Sequence, residues 1–281
     1  MITRLPKINK LILPGKSFAD LSEVVAQIIV EYGTDQVAEL TIGIIDPNHK
    51  LTRSPIADVG SIITFDGSRW QVGSIEANLT EWGSQIAIRC RDPLAKKLRA
   101  TYKTSAEKKV APSNWVARRV KAAGGIVKTQ PSSSRGTISQ SKSQSVLDVV
   151  DDLASELDWS WTSHDGRFYF ASRHYAWSGS LGLASWTVTW KTDPASDALA
   201  ATWTDSDDNT LNRREMELEV TYDAGYRMRP WQRVNSSIPG ARGYWLIESV
   251  SITHDGITPV MLNVTRPKRP SPKAGSSSRE S

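Results

Sequence analysis

The sequence predicts a mainly β fold in which two small antiparallel β-barrel domains flank an inserted α/β module built from a helix and a hairpin. Short runs of alternating apolar and polar residues fill the early part of the chain and return after Leu183, as half-buried strands require. Between them the apolar spacing changes to that of an amphipathic helix. We expect a first β-barrel domain at 1–98, the module at 99–182, a second β-barrel domain at 183–266 and a disordered basic tail at 267–281.

The first β region is predicted from strand patterns separated by turn residues. Between Glu39 and Asp46 alternate residues are apolar, which is typical of a strand with one buried face. Asp66-Gly67 lies between two β-type runs and predicts a tight hairpin turn. Ile86, Ile88 and Cys90 share one phase of a further strand, so Cys90 is expected to be a buried small hydrophobe rather than a nucleophile.

The inserted module is predicted from a change to helical spacing. A short helix is expected from Trp115 to Ala123, and the Ser-rich and Gln-rich stretch Gln130 to Gln144 is expected to be a loop. Ser145 and Asp148 form a capping-box pattern ahead of the most regular apolar spacing in the chain. A second hairpin is predicted around Asp165-Gly166.

The second β region again shows alternation. Strands are predicted at Trp186–Trp190 and Met216–Val220, followed by a closing pair at Tyr244–Val250 and Thr258–Val264. The turn of that pair is expected at His254-Asp255-Gly256.

The net charge of +5 is a small difference between large blocks of opposite sign. Residues 1–88 carry 7 basic and 10 acidic side chains, and residues 89–142 carry 14 and 2. Residues 143–265 carry 9 and 17, and residues 266–281 carry 5 and 1. Such segregation indicates surfaces that meet different partners rather than a uniformly basic protein.

Enzyme and metal signatures are weak. The four histidines are scattered, and the sequence has no phosphate-binding glycine loop, nucleophile elbow or zinc-protease motif. The acidic run Asp205–Asn209 departs from a calcium loop, because Thr210 and Met216 stand where that loop requires Gly and Glu. We therefore predict no enzymatic activity, no cofactor and no metal.

The chain has eleven tryptophans, most of them outside the basic block 89–142. Single-stranded nucleic acid is bound by surfaces on which basic and aromatic residues alternate, and the sequence does not show that pattern here. Core packing and subunit interfaces account better for the tryptophans. The predicted interface aromatics are Trp186, Trp190, Trp203 and Trp245.

The order and spacing of several segments resemble the bacteriophage tail hub family, the baseplate hubs of phage tails and prophage tail-like particles. The most specific segment is Ser145 to Phe170, which is similar to the helix and hairpin of these hubs. The resemblance covers residues 20–267. The other matching segments are Glu39–Pro47, Arg91–Leu98, Asn114–Ala123 and Tyr244–Pro267.

The resemblance implies a homotrimer whose subunits each contribute two similar β-barrel domains to a pseudo-hexameric ring. Such a ring joins the hexameric tail tube to the threefold tail tip or spike and lets DNA pass. The implied partners are the tail tube protein or distal tail protein, the tape measure protein and the spike or tip protein, with DNA only in transit and no membrane anchor. The implied location is the virion, after assembly in the host cytoplasm. Because the chain ends soon after Pro267, we expect no lytic domain.

The resemblance also suggests a role for the charge blocks, since tail tubes have a negative bore along which the genome slides. Glu215, Glu217 and Glu219 alternate with apolar residues and are predicted to line the lumen, whereas the basic block would face outward. The alternative, that these charges are scattered over solvated surface, stays open.

Two other classes of function also stay open. A tail-associated cell-wall hydrolase would need a converging carboxylate pair or Ser/His pair. A nucleic-acid-binding protein using the basic block 89–142 would show strongly salt-dependent DNA affinity.

Overall fold

A computed structural model describes residues 11–13, 24–47, 49, 57–81, 83–133, 136–190, 196–205 and 213–267. Strands hold 50% of the residues and helices 18%, which confirms the predicted mainly β class. The tail from Lys268 onward and most of the acidic run Asp205–Asn209 lie outside the described residues.

Six strands are described in the first β region. In β3 the side chains of Leu40, Ile42 and Ile44 are buried, as the alternation predicts. Asp66 and Gly67 both have positive φ, 47° and 82°, which a two-residue hairpin turn requires. The strands are β1 (Leu11–Ile12), β2 (Val25–Gly33), β3 (Glu39–Pro47), β4 (Ile62–Phe65), β5 (Ser68–Thr80) and β6 (Gly83–Arg91).

The inserted module has its own small sheets and helices. One sheet has the order β10-β11-β8, and β7 pairs with β9 in a separate two-stranded sheet. The elements from the end of the first β region are α1 (Pro93–Arg99), β7 (Ser105–Lys108), α2 (Pro112–Ala122), β8 (Ile126–Thr129), β9 (Thr137–Gln140), α3 (Val146–Leu157), β10 (Ser160–His164), β11 (Arg167–Ala171) and α4 (Arg173–Trp177).

The capping box predicted for α3 is present. The Ser145 hydroxyl accepts from the Asp148 N–H at 3.1 Å, and the Asp148 carboxylate accepts from the Ser145 N–H at 2.7 Å. The hairpin at Asp165-Gly166 is also present, because it joins β10 to β11.

Two local predictions for the module need correction, and one helix of the module was missed. The helix α2 begins at Pro112 rather than Trp115, because proline fits the first turn of a helix. The predicted loop Gln130–Gln144 contains β9, which is held by backbone pairing with β7 and by buried Ile138. The helix α1 was not predicted; Asp92 caps it by accepting from the Ala95 N–H at 2.8 Å.

In the second β region the described residues form six strands and one short helix. Only part of the predicted strand Trp186–Trp190 is observed, because Trp190 lies beyond its end. The closing pair is joined at the predicted His254-Asp255-Gly256 turn. The elements are β12 (Ser185–Val188), β13 (Ala198–Asp205), β14 (Arg213–Val220), α5 (Tyr222–Gly225), β15 (Arg233–Ser236), β16 (Gly243–Thr253) and β17 (Val260–Pro267).

The two β regions share one curled sheet that forms a half-barrel and is antiparallel except for the parallel pairing of β12 with β15. Its strand order is β1-β4-β5-β6-β3-β2-β16-β17-β14-β13, and β15 and β12 extend from β16 on a side branch. The regions meet where β2 pairs with β16, with Tyr32 opposite Val250. One apolar cluster, which includes Ile28, Leu40 and Val250, continues across this junction. The module has a separate core around Trp115, Val150 and Phe168.

Candidate functional site

The three predicted lumen glutamates lie on the exposed side of β14. Glu215 and Glu217 are exposed and Glu219 is half-buried, whereas the alternating Met216 and Leu218 are buried in the core. This arrangement follows from the strand geometry, because successive side chains point to opposite faces of a sheet. The structure therefore brings the three carboxylates together on one polar face.

The neighbouring strands extend this polar face across the second β region. Glu217 lies opposite Thr202 of β13 and Asn263 of β17, and Asn263 in turn lies opposite Ser249 of β16. Short hydroxyl and amide side chains therefore surround the carboxylates. A polar face of this kind stays hydrated, and the side chains described on these four strands beside the glutamates are uncharged.

The face continues into the first β region through the pairing of β16 with β2. Ser251 of β16 lies opposite Glu31 of β2, which lies opposite Glu39 of β3. Glu39 is paired with Arg91 of β6 at 2.9 Å.

The sequence alone did not predict that the first β region contributes glutamates to this face. The available signal was the alternation of Glu31 and Glu39 with buried neighbours, but only the pairing of β2 with β16 joins them to β14. We call this surface the acidic sheet face; its members include six glutamates and three arginines, which are Glu31, Glu39, Glu76, Glu215, Glu217, Glu219, Arg69, Arg89 and Arg91. Arg89 is paired with Glu76 and Arg91 with Glu39, whereas the exposed Arg69 has no ion pair among the described residues.

Both ends of the sheet have strand edges without a partner in the described part of the chain. At one end β13 pairs only with β14, and its Leu199 and Trp203 are 49% and 45% exposed. At the other end β4 covers only the beginning of β5, which leaves the edge from Ser74 to Thr80 unpaired. Leu79 on that segment is 61% exposed. Such edges readily pair with a further strand.

The predicted interface aromatics fall into two groups. Trp190 and Trp203 are exposed, and Trp186 is half-buried with its indole N–H donating to the Gln232 side chain at 2.6 Å. Trp245 is only 1% exposed and donates to the Ala241 carbonyl at 2.8 Å. The Trp245 ring is therefore enclosed by its own chain in the subunit, and its place at a subunit interface stays a prediction.

A polar cluster centred on Asp165, whose side chain is 37% exposed, connects the module to both β regions. Ser68 of the first β region donates to the Asp165 carboxylate at 2.6 Å, and Arg229 of the second lies 3.4 Å from it. The adjacent His164 ring lies 3.4 Å from the same carboxylate. Burial alone would raise the pKa of Asp165, but the His164 contact, the Arg229 charge and the Ser68 hydrogen bond together lower it well below its usual range.

A second cluster ties the turn after β2 to the module. The Asp35 carboxylate accepts from the Trp161 N–H at 2.8 Å, and Arg173 bridges Asp35 and Glu248 at 3.3 Å and 3.0 Å. These contacts join the first β region, the module and the second β region. They give the module a defined position against the half-barrel.

The described residues contain few features of a catalytic site. Cys90 is fully buried as predicted, and burial raises the pKa of its thiol to about 12. Within the described ranges no group of three or more His, Cys, Asp or Glu side chains could hold a metal ion. None of the helices described here has the length and apolar character needed to cross a bilayer.

The half-barrel sheet with an inserted α/β module is the fold of phage tail proteins and their secretion-system relatives. A type VI secretion component from E. coli, described as structurally similar to the T4 tail proteins gp27 and gp5, matches with a TM-score of 0.67 at 11% identity. The match covers 93% of this chain and 77% of that one. The 43 kDa tail protein of prophage MuSo2 from Shewanella oneidensis matches with a TM-score of 0.65 at 11% identity, over 92% of this chain and 96% of that one.

A tail protein from Neisseria meningitidis MC58 also has a TM-score of 0.65, at 12% identity, over 92% of this chain and 95% of that one. No protein-family model and no curated protein matches the sequence. At such identities the likeness establishes the fold, and it confirms the fold that the hub-like segments of the sequence indicated.

Proposed function

We propose that the protein is a non-enzymatic tail hub subunit that forms a homotrimeric, pseudo-hexameric ring. In this proposal the ring joins the hexameric tail tube to the threefold tail tip or spike and lets DNA pass. The fold shared with phage tail proteins supports the proposal that this protein is a structural component of a tail. The observation that carries the proposal is the acidic sheet face, which extends over both β regions.

The acidic sheet face has the chemistry of a bore that DNA crosses without binding. Carboxylates repel phosphates, and two of the arginines on the face, Arg91 and Arg89, are paired with Glu39 and Glu76. Salt-dependent affinity for DNA comes from phosphates neutralised by Lys and Arg. A surface of this composition favours passage over retention.

The free strand edges support assembly into a closed ring. An isolated subunit would expose backbone donors and acceptors together with Leu79 and Trp203 at opposite ends of one sheet. Head-to-tail contacts between identical subunits bury such ends when the rotation closes. The tail tube or distal tail protein, the tape measure protein and the spike or tip protein are the partners in this proposal, and the virion is its location.

The oligomeric mass tests this proposal. Multi-angle light scattering of the purified chain should give three times the subunit mass of 31.1 kDa at micromolar concentration. The trimer should also show no DNA retention at physiological salt. A stable monomer, or tight salt-dependent DNA binding by the basic block 89–142, would contradict it.

A further inference from the structure

Two helices of the module expose surfaces of opposite charge. The outer side of α2 carries Arg118 and Lys121, whereas the outer side of α3 carries Asp148, Asp152 and Glu156. Charged faces on solvated helices are ordinary when each charge has a partner on its own helix. The charges here are instead sorted by sign between the two helices.

The basic side of α2 borders a groove of about 460 Å³. Asn114, Ala117, Arg118 and Lys121 line it with the spacing of a single helix face, and the preceding segment adds Lys109. Ala117 has a small side chain, which leaves space between the longer side chains of Arg118, Lys121 and Lys109. We call this surface the basic groove.

The acidic side of α3 forms a ridge, because Asp148, Asp152 and Glu156 are spaced four residues apart. Residues at this spacing lie about 6 Å apart along a helix and form the ridge that packs into grooves of a neighbouring helix. All three side chains are exposed. We call this surface the acidic ridge.

The charges of these surfaces are only partly satisfied within the chain. Arg118 shares the Glu107 carboxylate with Arg119, and Asp152 accepts from the Gln144 amide at 3.1 Å. In the described part of the chain, Lys109, Lys121 and Glu156 make no ion pair. Each surface therefore retains charge for an external partner.

We propose that the basic groove of one subunit binds the acidic ridge of a second copy of this chain. The inference rests on the proposed ring, to which it adds a contact between neighbouring modules. Different surfaces meet in this contact, so it is head-to-tail and compatible with closure into a ring. Its function is to select and orient the neighbouring subunit, since exposed ion pairs contribute more to specificity and association rate than to affinity.

Nucleic acid is the competing occupant of the basic groove. Binding of single strands usually combines cations with exposed aromatic rings. The nearest aromatic residue of α2, Trp115, is fully buried, and the groove itself is lined by no aromatic side chain. The acidic ridge on the same chain carries the complementary charge, so a second copy of the chain is favoured over nucleic acid as the occupant of the basic groove.

A charge-swap experiment on the full chain tests the contact. R118E/K121E and D152K/E156K should each weaken trimer association about tenfold at low salt, as measured by sedimentation equilibrium. The variant with all four changes should regain most of that affinity, because the opposite charges meet again. K103E/K142E changes the same net charge on exposed lysines of the module outside the groove, and should leave association near wild type.

The outcomes separate this inference from the proposed function. A wild-type trimer that neither double variant weakens, or that the four-site variant fails to restore, would overturn the module contact and leave the ring intact. Competition for the groove by duplex DNA, lost in R118E/K121E, would also overturn it. A wild-type chain that stays monomeric would instead overturn the proposed ring. Unchanged thermal unfolding of each variant shows that its fold is retained.

Discussion

Individual residues at the boundaries between parts of the chain determine how the module sits on the half-barrel. Asp165 occupies a turn position with a φ of 53° and contacts both β regions through Ser68 and Arg229. The sequence predicted the turn from Asp165-Gly166, but it could not predict these contacts, because Ser68 and Arg229 are far away along the chain. Local patterns identify a turn residue, whereas its partners depend on the tertiary fold.

Asp165→Asn should lower the free energy of unfolding by about 1–2 kcal/mol at pH 7, a range that allows for the partial exposure of the carboxylate. Asparagine tolerates the positive φ, so the change tests the charge rather than the turn. The folded-state pKa of Asp165 is lowered, so its stabilisation is present at neutral pH and is lost as the pH falls below about 4. Urea unfolding of both proteins at pH 7 and pH 3 measures the difference.

The matched control is Asp158→Asn, since Asp158 also has positive φ, 54°, but ends α3 at an exposed position. It should change stability little at either pH. A loss for Asp165→Asn that is equal at pH 7 and pH 3 would contradict the assigned electrostatic role.

At the scale of elements, the sequence predicted those whose signals are local. The capping box of α3 and the hairpins at Asp66-Gly67 and Asp165-Gly166 are present because each depends on a few adjacent residues. The strand β9 was missed because its Ser-rich and Gln-rich sequence has little strand preference, and its pairing with β7 decides its conformation. The start of α2 was misplaced because Pro112 begins the helix without a side-chain cap.

Ser145→Ala should destabilise the protein by about 1 kcal/mol, because the first turn of α3 loses the hydroxyl that accepts from the Asp148 N–H. Ser155→Ala, an exposed change within the same helix, should be neutral or slightly stabilising. Thermal unfolding followed by circular dichroism compares the two. Equal stability of both variants would show that the cap contributes nothing.

Glu217→Cys tests whether the acidic sheet face lines a bore. In the assembled trimer the new thiol should react with a small maleimide but not with a maleimide carried on a gold particle wider than the bore. Asp223→Cys supplies the control, because this exposed residue of α5 should react with both reagents. The native Cys90 is buried and should contribute little labelling. Equal labelling of Glu217→Cys by the large reagent would place this face outside the ring.

At the scale of the whole molecule, the proposed function depends on the pairing of two β regions into one continuous sheet. The alternation of residues predicted strands in both regions and placed Glu215, Glu217 and Glu219 on one side of β14. The alternation could not predict that β2 pairs with β16, because these strands are more than 200 residues apart and no local sequence pattern specifies which strand pairs with which. That pairing extends the acidic sheet face over both β regions and gives the sheet its two free ends.

The most direct test of the account is a three-dimensional electron microscopy map of the purified protein. We expect a closed threefold ring in which both β regions of each subunit surround a central channel, giving six similar lobes. Glu215, Glu217 and Glu219 should face that channel, with the modules outside it. A monomer, an open filament, or a ring whose acidic sheet face points outward would contradict the account.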